Sequence, residues 1–376
     1  MVEGILVDRG LERLSRSSIH YKRYTPLIVE LSISPWPCLS TILFTFDVEG
    51  SYGGGKFPEY EDLVIKKVLK LMNSGDVKGT FNVLGQRASE IEDILQSIHK
   101  SDHEIATHGY YHIMYDELSL KEQYNQLLKG KQVLEEMTGE PINGCRVPFA
   151  VYNRHTYEAI DRIGFLWSSN WSRSLWGTRP FRPEINGQKF KVIEVPFDDI
   201  HYDAALYRWE SPPSEVGLLW KNYVKRVAQN AGTFHTFLFH PVNASGKDGV
   251  LEDRIDAIKV AIAASSSEDL VWTPSLAQLT SRFRFLENVV LTRFEIKMKE
   301  NEFMSAALNI DNRNESSVNR LVLIIKYINK NLEITSEAKD KVVSIDQEFT
   351  RTLGLHIGKI PPKSSVKIEI NLEREK

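Results

Sequence analysis

The chain is poor in cysteine. Of its 376 residues only Cys38 and Cys145 are cysteines, so one disulfide is arithmetically open to it but a disulfide framework or a cysteine-built zinc site is not. Two isolated thiols are expected to stay reduced, as in a cytosolic protein. Long apolar runs are also missing. The stretch 26–46 is broken by Pro26, Glu30, Pro35, Pro37 and several serines, and nothing approaches the roughly 18 apolar residues of a membrane-crossing helix. Nor is there an excess of one charge. Lys and Arg number 47 against 50 Asp and Glu, interspersed, for a net charge of −3, which removes the electrostatic case for nucleic acid or an anionic membrane as the main partner. The opening MVEGILVDRGLERLSRSS has neither the basic start nor the continuous apolar core of a secretion signal. The expectation is a soluble, cytoplasmic protein with residues 1–38 as an N-terminal extension. No repeat or low-complexity tract is visible.

What is present is enough apolar material, 42%, for a sizeable core. Between residues 39 and 284 short apolar runs alternate with helical patterns. TILFTF (41–46), GTFNVLG (79–85), HEIATH (103–108), INGCRVPF (142–149), GFLWSS (164–169), KVIEVP (191–196) and GTFHTFLFH (232–240) read as strands. Between them, 60–74, 87–100, 119–138, 154–163, 213–230 and 251–264 carry apolar residues at helical spacing. Ser119 and Glu122 form a capping box and Gly139 stops the helix they open. Alternation of this kind marks parallel β/α units, and about seven strands favour a barrel over an open sheet. From 285 to 376 the helical stripe disappears. Strand-like runs separated by turns predict a smaller C-terminal β-sandwich-like domain.

The chemically interesting side chains fall at the C-terminal ends of these strands. Asp47 and Glu49 follow TILFTF, His108 and His112 follow HEIAT, Arg146 lies in GCRVPF, and His240 follows HTFLF. In β/α barrels those ends converge on one face, where loops carry the catalytic groups. Two histidines four residues apart can reach one ion from a helical turn or a tight loop. With one carboxylate from Asp47-Val48-Glu49 they would complete a His₂-carboxylate set, leaving a position open for water. Trp167, Trp171, Trp176 and Trp209 flank loops and are available to stack on a sugar or to pack. SYGGGKF (51–57) is glycine-rich without the phosphate-loop pattern and is expected to be a mobile loop beside the site.

Taken in order, these motifs resemble those of the polysaccharide deacetylases, the carbohydrate esterase family with the NodB-homology fold. TFDVEG (45–50) resembles the family's first motif, THGYYH (107–112) its second, RVPF (146–149) its third, GFLWSSNW (164–171) the region of its fourth and FLFH (237–240) its fifth. The resemblance covers about 40–282. It implies a distorted (β/α)₇ barrel and a metal-dependent hydrolase that removes N-acetyl groups from the amino sugars of a glycan or glycan precursor. His108, His112 and Glu49 would be metal ligands for one divalent ion, zinc first, with cobalt, manganese or nickel also accepted. Asp47 would be the general base, Arg146 its orienting partner and His240 the general acid.

The match is not complete. Asp-x-Glu replaces the family's adjacent acidic pair, so the division of labour between Asp47 and Glu49 stays open. Asn170 stands near the place of an aspartate, so Asp198 or Asp199 is expected to supply the acidic partner of Arg146. Phe149 replaces a tyrosine but keeps its backbone N–H as an oxyanion donor. Phe149, Trp171 and Asp199 are the expected substrate-binding residues. Two other readings stand beside this one: a hydrolase of a small linear or cyclic amide on the same scaffold, and a carbohydrate-binding protein without catalysis.

Overall fold

The computed structural model describes residues 6–7, 21–22, 28–34, 37–38, 40–171, 180–198, 200–299, 302–328, 332–335, 339–346 and 350–372. The chain divides into two compact units, one formed by Thr41–Ala228 with Thr233–Thr280, the other by Met1–Ser40, Gln229–Gly232 and Ser281–Lys376.

The first unit is built on strands β1 (Ser40–Val48), β2 (Gly79–Val83), β3 (Glu104–Thr107), β4 (Gly144–Cys145), β5 (Trp167–Ser168), β6 (Ile193–Glu194), β7 (Phe234–Phe239) and β8 (Val271–Trp272). The sheet runs β6-β5-β4-β3-β2-β1-β7, with β8 paired to β1, and every pairing along that path is parallel. Helices α1 (Glu61–Ser74), α2 (Glu92–Lys100), α3 (Leu120–Thr138), α4 (Arg154–Ile163), α5 (Asp203–Arg208), α6 (Pro213–Ala228) and α7 (Glu252–Ser266) form the connections. The edges β6 and β7 are not laddered together, but just past β6 the Asp198 N–H donates to Thr236 C=O of β7 at 3.3 Å. This curled parallel sheet with its helices is the distorted (β/α)₇ barrel that the resemblance implied.

Period-2 geometry sorts the side chains of β1. Ile42, Phe44, Phe46 and Val48 join the main apolar core with α1 and α7 residues, and Phe46 stacks on Phe81 at 4.7 Å. Thr41, Thr45 and Asp47 take the opposite face. Parallel register pairs Asp47 with Asn82 on β2, which puts a polar partner beside a carboxylate at the strand end. Helix α3 is capped as its sequence requires: Ser119 Oγ accepts from the Glu122 N–H, the Glu122 carboxylate accepts from the Ser119 N–H, and Gly139 closes the end at φ 71°.

Residues 85–90 form a 3₁₀ turn before α2 rather than the start of the helix, and only Ile193–Glu194 of KVIEVP is laddered as strand.

The second unit consists of two antiparallel sheets around one core. One contains Val289–Lys299, Glu302–Asn312, Ser364–Leu372, Leu332–Thr335 and Leu6–Val7. The other contains Leu321–Ile328, Thr350–Ile357, Lys339–Asp346, Ile28–Ser34 and Tyr21–Lys22. Leu308, Ile310, Ile368 and Ile370 of the first sheet meet Leu323, Ile325, Leu355 and Ile357 of the second. Ile28–Ser34 is not a peripheral extension. It pairs with Leu321–Ile328, a partner almost 300 residues away that no local pattern reveals. Among the described residues no helix is long and apolar enough to cross a membrane.

Candidate metal and hydrolytic site

At the C-terminal end of the parallel sheet, four segments bring titratable groups together. Glu49 lies just past β1. His108 and His112 lie in the loop after β3, which is a loop rather than a helical turn. Gly109 between them adopts φ 78°, and a side chain there would collide with the Tyr115 hydroxyl. The His108 N–H is tied to Val83 C=O at 2.9 Å. So folded, both imidazoles place Nε2 at 3.0 Å from the same Glu49 oxygen, Oε1. One ligand atom from each of Glu49, His108 and His112 lies within 4.8 Å of the others, and the same holds for Asp47, Glu49 and His240.

The chemistry of this set fits a cation. His108 Nδ1 is 2.8 Å from the Arg146 carbonyl. A carbonyl only accepts, so Nδ1 carries the proton and a neutral ring turns the Nε2 lone pair toward a carboxylate oxygen. Two electron-rich atoms in that position need a proton or a metal between them. An Nδ1–H held by a backbone carbonyl is also the usual support of a ligating imidazole. Burial raises the Glu49 carboxyl, but the two imidazoles outweigh it and hold the group well below the ordinary carboxylate value.

Asp47 is buried and otherwise engaged. Its Oδ1 accepts from Arg146 Nη1 at 2.9 Å and from Asn82 Nδ2 at 2.8 Å. Burial pushes its carboxyl up, whereas Arg146 above all, with His108 and His240, pulls it below its ordinary value. Arg146 is fixed on every side. Nε donates to Ser169 C=O at 2.8 Å, Nη2 to Ser169 Oγ at 2.7 Å and Nη1 also to Thr45 Oγ1 at 3.0 Å, while the Phe197 ring lies 4.8 Å from Cζ. The acidic partner of Arg146 is therefore Asp47 itself, not Asp198. The Asp198 carboxylate is turned to His201, whose Nδ1 it meets at 3.1 Å, and to the N–H groups of Ile200 and His201. Asp199 lies outside the described residues. Asn170 does not reach the guanidinium. It accepts from the Val147 N–H at 2.8 Å and so holds the RVPF turn.

His240 follows β7 on the opposite wall. Its partner, Asp203 at the start of α5, was not legible as a site residue. Asp203 Oδ1 meets His240 Nδ1 at 2.8 Å, and Oδ2 accepts from the His240 N–H at 2.7 Å and from Asn243 Nδ2 at 3.1 Å. Burial works against the charged ring, but Asp203, helped by Glu49 and Asp47, carries the imidazole up to about 10. The one hint in the sequence is an acidic residue in a first helical turn, a position shared by many helices without function.

Phe149 and Ala150 both sit in the left-handed region, at φ 59° and 53°. Two consecutive non-glycine residues there cost on the order of 1–3 kcal/mol each. The result is a Phe149 ring 53% exposed and set against His112, with centroids 4.3 Å apart. The Ala150 and Val151 amides close back onto Val147 and Pro148, a turn that leaves out the Phe149 N–H. Trp171 stacks on Tyr152 at 5.9 Å and meets Phe181 edge-on at 5.4 Å. It belongs to this aromatic cluster and is not among the residues lining the cavity. That cavity, about 830 Å³, opens above Asp47, Glu49, His112, Phe149 and His240. The glycine-rich loop forms part of its wall. A side chain on Gly53 would collide with the Glu49 carboxylate.

Residues 39–166 match the family model described as polysaccharide deacetylase. The α/β unit has a polysaccharide deacetylase-type fold. In sequence the chain is 23% identical over 208 residues to a peptidoglycan deacetylase of Helicobacter pylori, covering 46% of this chain and 70% of that one. It is 28% identical over 101 residues to a peptidoglycan-N-acetylglucosamine deacetylase of Listeria monocytogenes, covering 27% of this chain and 22% of the Listeria protein. In structure it is similar to a crystal structure named for a polysaccharide deacetylase from Mycobacterium smegmatis, with TM-score 0.56 and 23% identity over 66% of this chain and 92% of that one. The Puue allantoinase gives TM-score 0.56 and 16% identity over 67% of this chain and 93% of that one. Likeness at this level establishes the polysaccharide deacetylase-type fold; the chemistry has to be argued from the site.

Proposed function

We propose that this protein is a metal-dependent hydrolase that removes N-acetyl groups from amino sugars of a glycan or glycan precursor. The observation that carries the reading is the meeting of His108 Nε2 and His112 Nε2 on one Glu49 oxygen, with His108 Nδ1 already committed to a carbonyl. Glu49, His108 and His112 would hold the ion, and N,O ligation of this kind accepts zinc, cobalt, manganese or nickel. When bound, such an ion supplies Lewis acidity and lowers the pKa of its water from 15.7 to about 7.

The residues of the chain divide the remaining work. Asp47, kept ionised by Arg146, would take the proton of the attacking water. The Phe149 N–H would donate to the oxygen of the acyl carbonyl as charge develops on it, a contact worth about 10²–10³ in rate. His240, held as imidazolium by Asp203, would protonate the departing amine, worth roughly 10²–10⁴. Acetate and a free amino group result. The cavity volume of about 830 Å³ lies in the upper part of the ~300–1,000 Å³ range of ligand sites, which favours a glycan over a small amide.

The decisive experiment is metal content by elemental analysis after reconstitution, paired with acetate release from N-acetylglucosamine oligomers. About one ion per chain, lost in His108→Ala/His112→Ala together with acetate release, is the expected result. An ion retained by the double variant, or acetate release unaffected by chelation, would overturn the proposal.

A further inference from the structure

Besides Arg146 and His240, which are already engaged by Asp47 and Asp203, four cationic side chains line the cavity of the α/β unit, each from a different segment. Lys56 belongs to the glycine-rich loop after β1, Arg208 ends α5, Lys247 lies in the turn between the short strands Ser245–Gly246 and Gly249–Val250, and Arg254 lies in the first turn of α7. Among the described residues Lys56, Arg208 and Lys247 make no hydrogen bond or ion pair. Arg254 finds only neutral partners. Its guanidinium donates to the Asn243 carbonyl and lies 4.0 Å from the centre of the Tyr207 ring. A cation in the first turn of a helix is also opposed by the helix dipole.

The carboxylates lining the same cavity are Asp47 and Glu49. Asp47 is held by Arg146 and Asn82, and Glu49 by the two imidazoles. The four cations thus have no carboxylate of their own. General basicity does not explain them, since the whole chain carries a net charge of −3. Among the described residues two hydroxyls in the cavity lining, those of Tyr207 and Ser245, have no hydrogen-bond partner, and Ser245 is only 6% exposed. Cations gathered on the low-dielectric walls of a cleft focus their field into it and raise the local concentration of anions. Hydroxyls and guanidinium groups are donors that carboxylate and phosphate oxygens accept from.

We infer that the cavity takes an N-acylated amino sugar that also carries a negative charge, a carboxylate or a phosphate, engaged by Lys56, Arg208, Lys247 and Arg254 while the acyl group sits over the metal ligands. This rests on the proposed hydrolase reading, so the test separates the two.

Zinc-reconstituted full-length protein is assayed for acetate release at low and high ionic strength on three probes: the neutral chitin tetrasaccharide, a tetrasaccharide alternating N-acetylglucosamine with N-acetylmuramic acid, and UDP-N-acetylglucosamine. The expected result is a kcat/KM at least about tenfold higher for an anionic probe than for the neutral one, declining as salt screens the field. In Arg208→Gln/Lys247→Gln, both at exposed positions, that ratio should fall toward one, and Lys56→Gln should lower it independently. A preference confined to the muramic acid glycan assigns the carboxylate; one confined to the nucleotide sugar assigns the phosphate. Equal or better turnover of the neutral probe, without salt dependence, overturns the inference. If no probe releases acetate, the hydrolase reading fails, and calorimetric titration with the same three probes decides the charge question. Tighter binding of an anionic probe that is lost in Arg208→Gln/Lys247→Gln sustains it, and binding indifferent to charge overturns it.

Discussion

In the α/β unit Asp47, Glu49, Glu61, Arg87, Arg146, Glu194 and Asp203 are all buried, alongside a large apolar core. In the β unit the buried polar side chains among the described residues are Asn312, Asn314 and Thr352, none of them charged. The contrast follows the cavity, which lies in the α/β unit. An ion pair moved out of water is often no better than well-packed apolar residues, and among the described residues the apolar core of the β unit is built from Leu, Ile, Val and Tyr with Phe285 packed against it. In the α/β unit the buried charges sit at the open cavity or brace it. Asp47, Glu49, Arg146 and Asp203 form the site. Glu194 accepts from the N–H groups of Asn170 and Trp171 and from the hydroxyls of Ser168 and Tyr157, fixing the turn beside Arg146.

The comparison breaks most sharply at the three convergent acceptors. Glu49→Ala or His108→Ala should weaken metal binding by more than the roughly 10–100-fold typical of losing an outer supporting partner, and acetate release should vanish with it. Titration of the apo-protein with zinc checks this. Metal bound as before in both variants would remove the reason for burying Glu49 at all.

The opposite wall carries the next effect. His240→Ala should lower kcat by about 10²–10⁴ with zinc affinity retained. Asp203→Asn is the finer probe. The native ring titrates near 10 against an ordinary 6.5. Its stabilising contribution is complete below about pH 6.5 and is lost as pH rises through about 10. Without the Asp203 charge the alkaline limb of the kcat profile should move at least about one unit toward neutrality. A limb that stays in place would show that another group donates the proton.

A matched pair then tests the units against each other. Arg146→Ala leaves Asp47 as a buried charge without its cation and should cost about 3–5 kcal/mol, along with activity. Leu355→Ala, at a fully buried position of the β unit, should cost about 2–5 kcal/mol without altering zinc affinity. Calorimetry and zinc titration on both variants separate the outcomes. If Leu355→Ala weakened metal binding as much as Arg146→Ala, the division between a functional and a purely structural interior would fail.

Legibility in the sequence followed the range of the interaction. Asp47, Glu49, His108, His112, Arg146 and His240 were visible because each ends a buried strand, and parallel β/α winding brings strand ends together without any knowledge of partners. Asn82 is a polar residue inside the apolar run GTFNV, a signal that parallel register turns into a contact with Asp47. Asp203 meets His240 only because α5 folds back 37 residues earlier in the chain, and an acidic residue in a first helical turn is too common to mark it. Ile28–Ser34 was missed for the same reason. Its ladder lies on Leu321–Ile328, and a strand without a local partner reads as a linker. The Asp-x-Glu spacing is explained only by the structure. Val48 points into the apolar core between Asp47 and Glu49, so the two carboxylates flank it and serve different partners.

The smallest effect concerns the second buried arginine–carboxylate pair. Arg87 donates to Glu61 through Nε at 2.8 Å and also meets Asp62 and Glu90, while Glu61 Oε1 accepts from the Gly50 N–H at 3.2 Å, directly after Glu49. Arg146 outweighs burial at Asp47, but Arg87, shared among three carboxylates, does not do so at Glu61. Burial pushes the Glu61 carboxyl up to about 7 from an ordinary 4.5. Between those values the folded protein holds a proton that the unfolded chain releases, so this group makes stability fall as pH rises through the window and leaves it level above about 7. Glu61→Gln removes the titration, and its single amide oxygen keeps one of the two acceptor contacts. The denaturation midpoint of the native protein, relative to Glu61→Gln, should therefore be lower at about pH 8 than at about pH 5, with zinc affinity nearly unchanged. A variant that instead lost zinc as Glu49→Ala does would move Glu61 from bracing the loop to shaping the metal site.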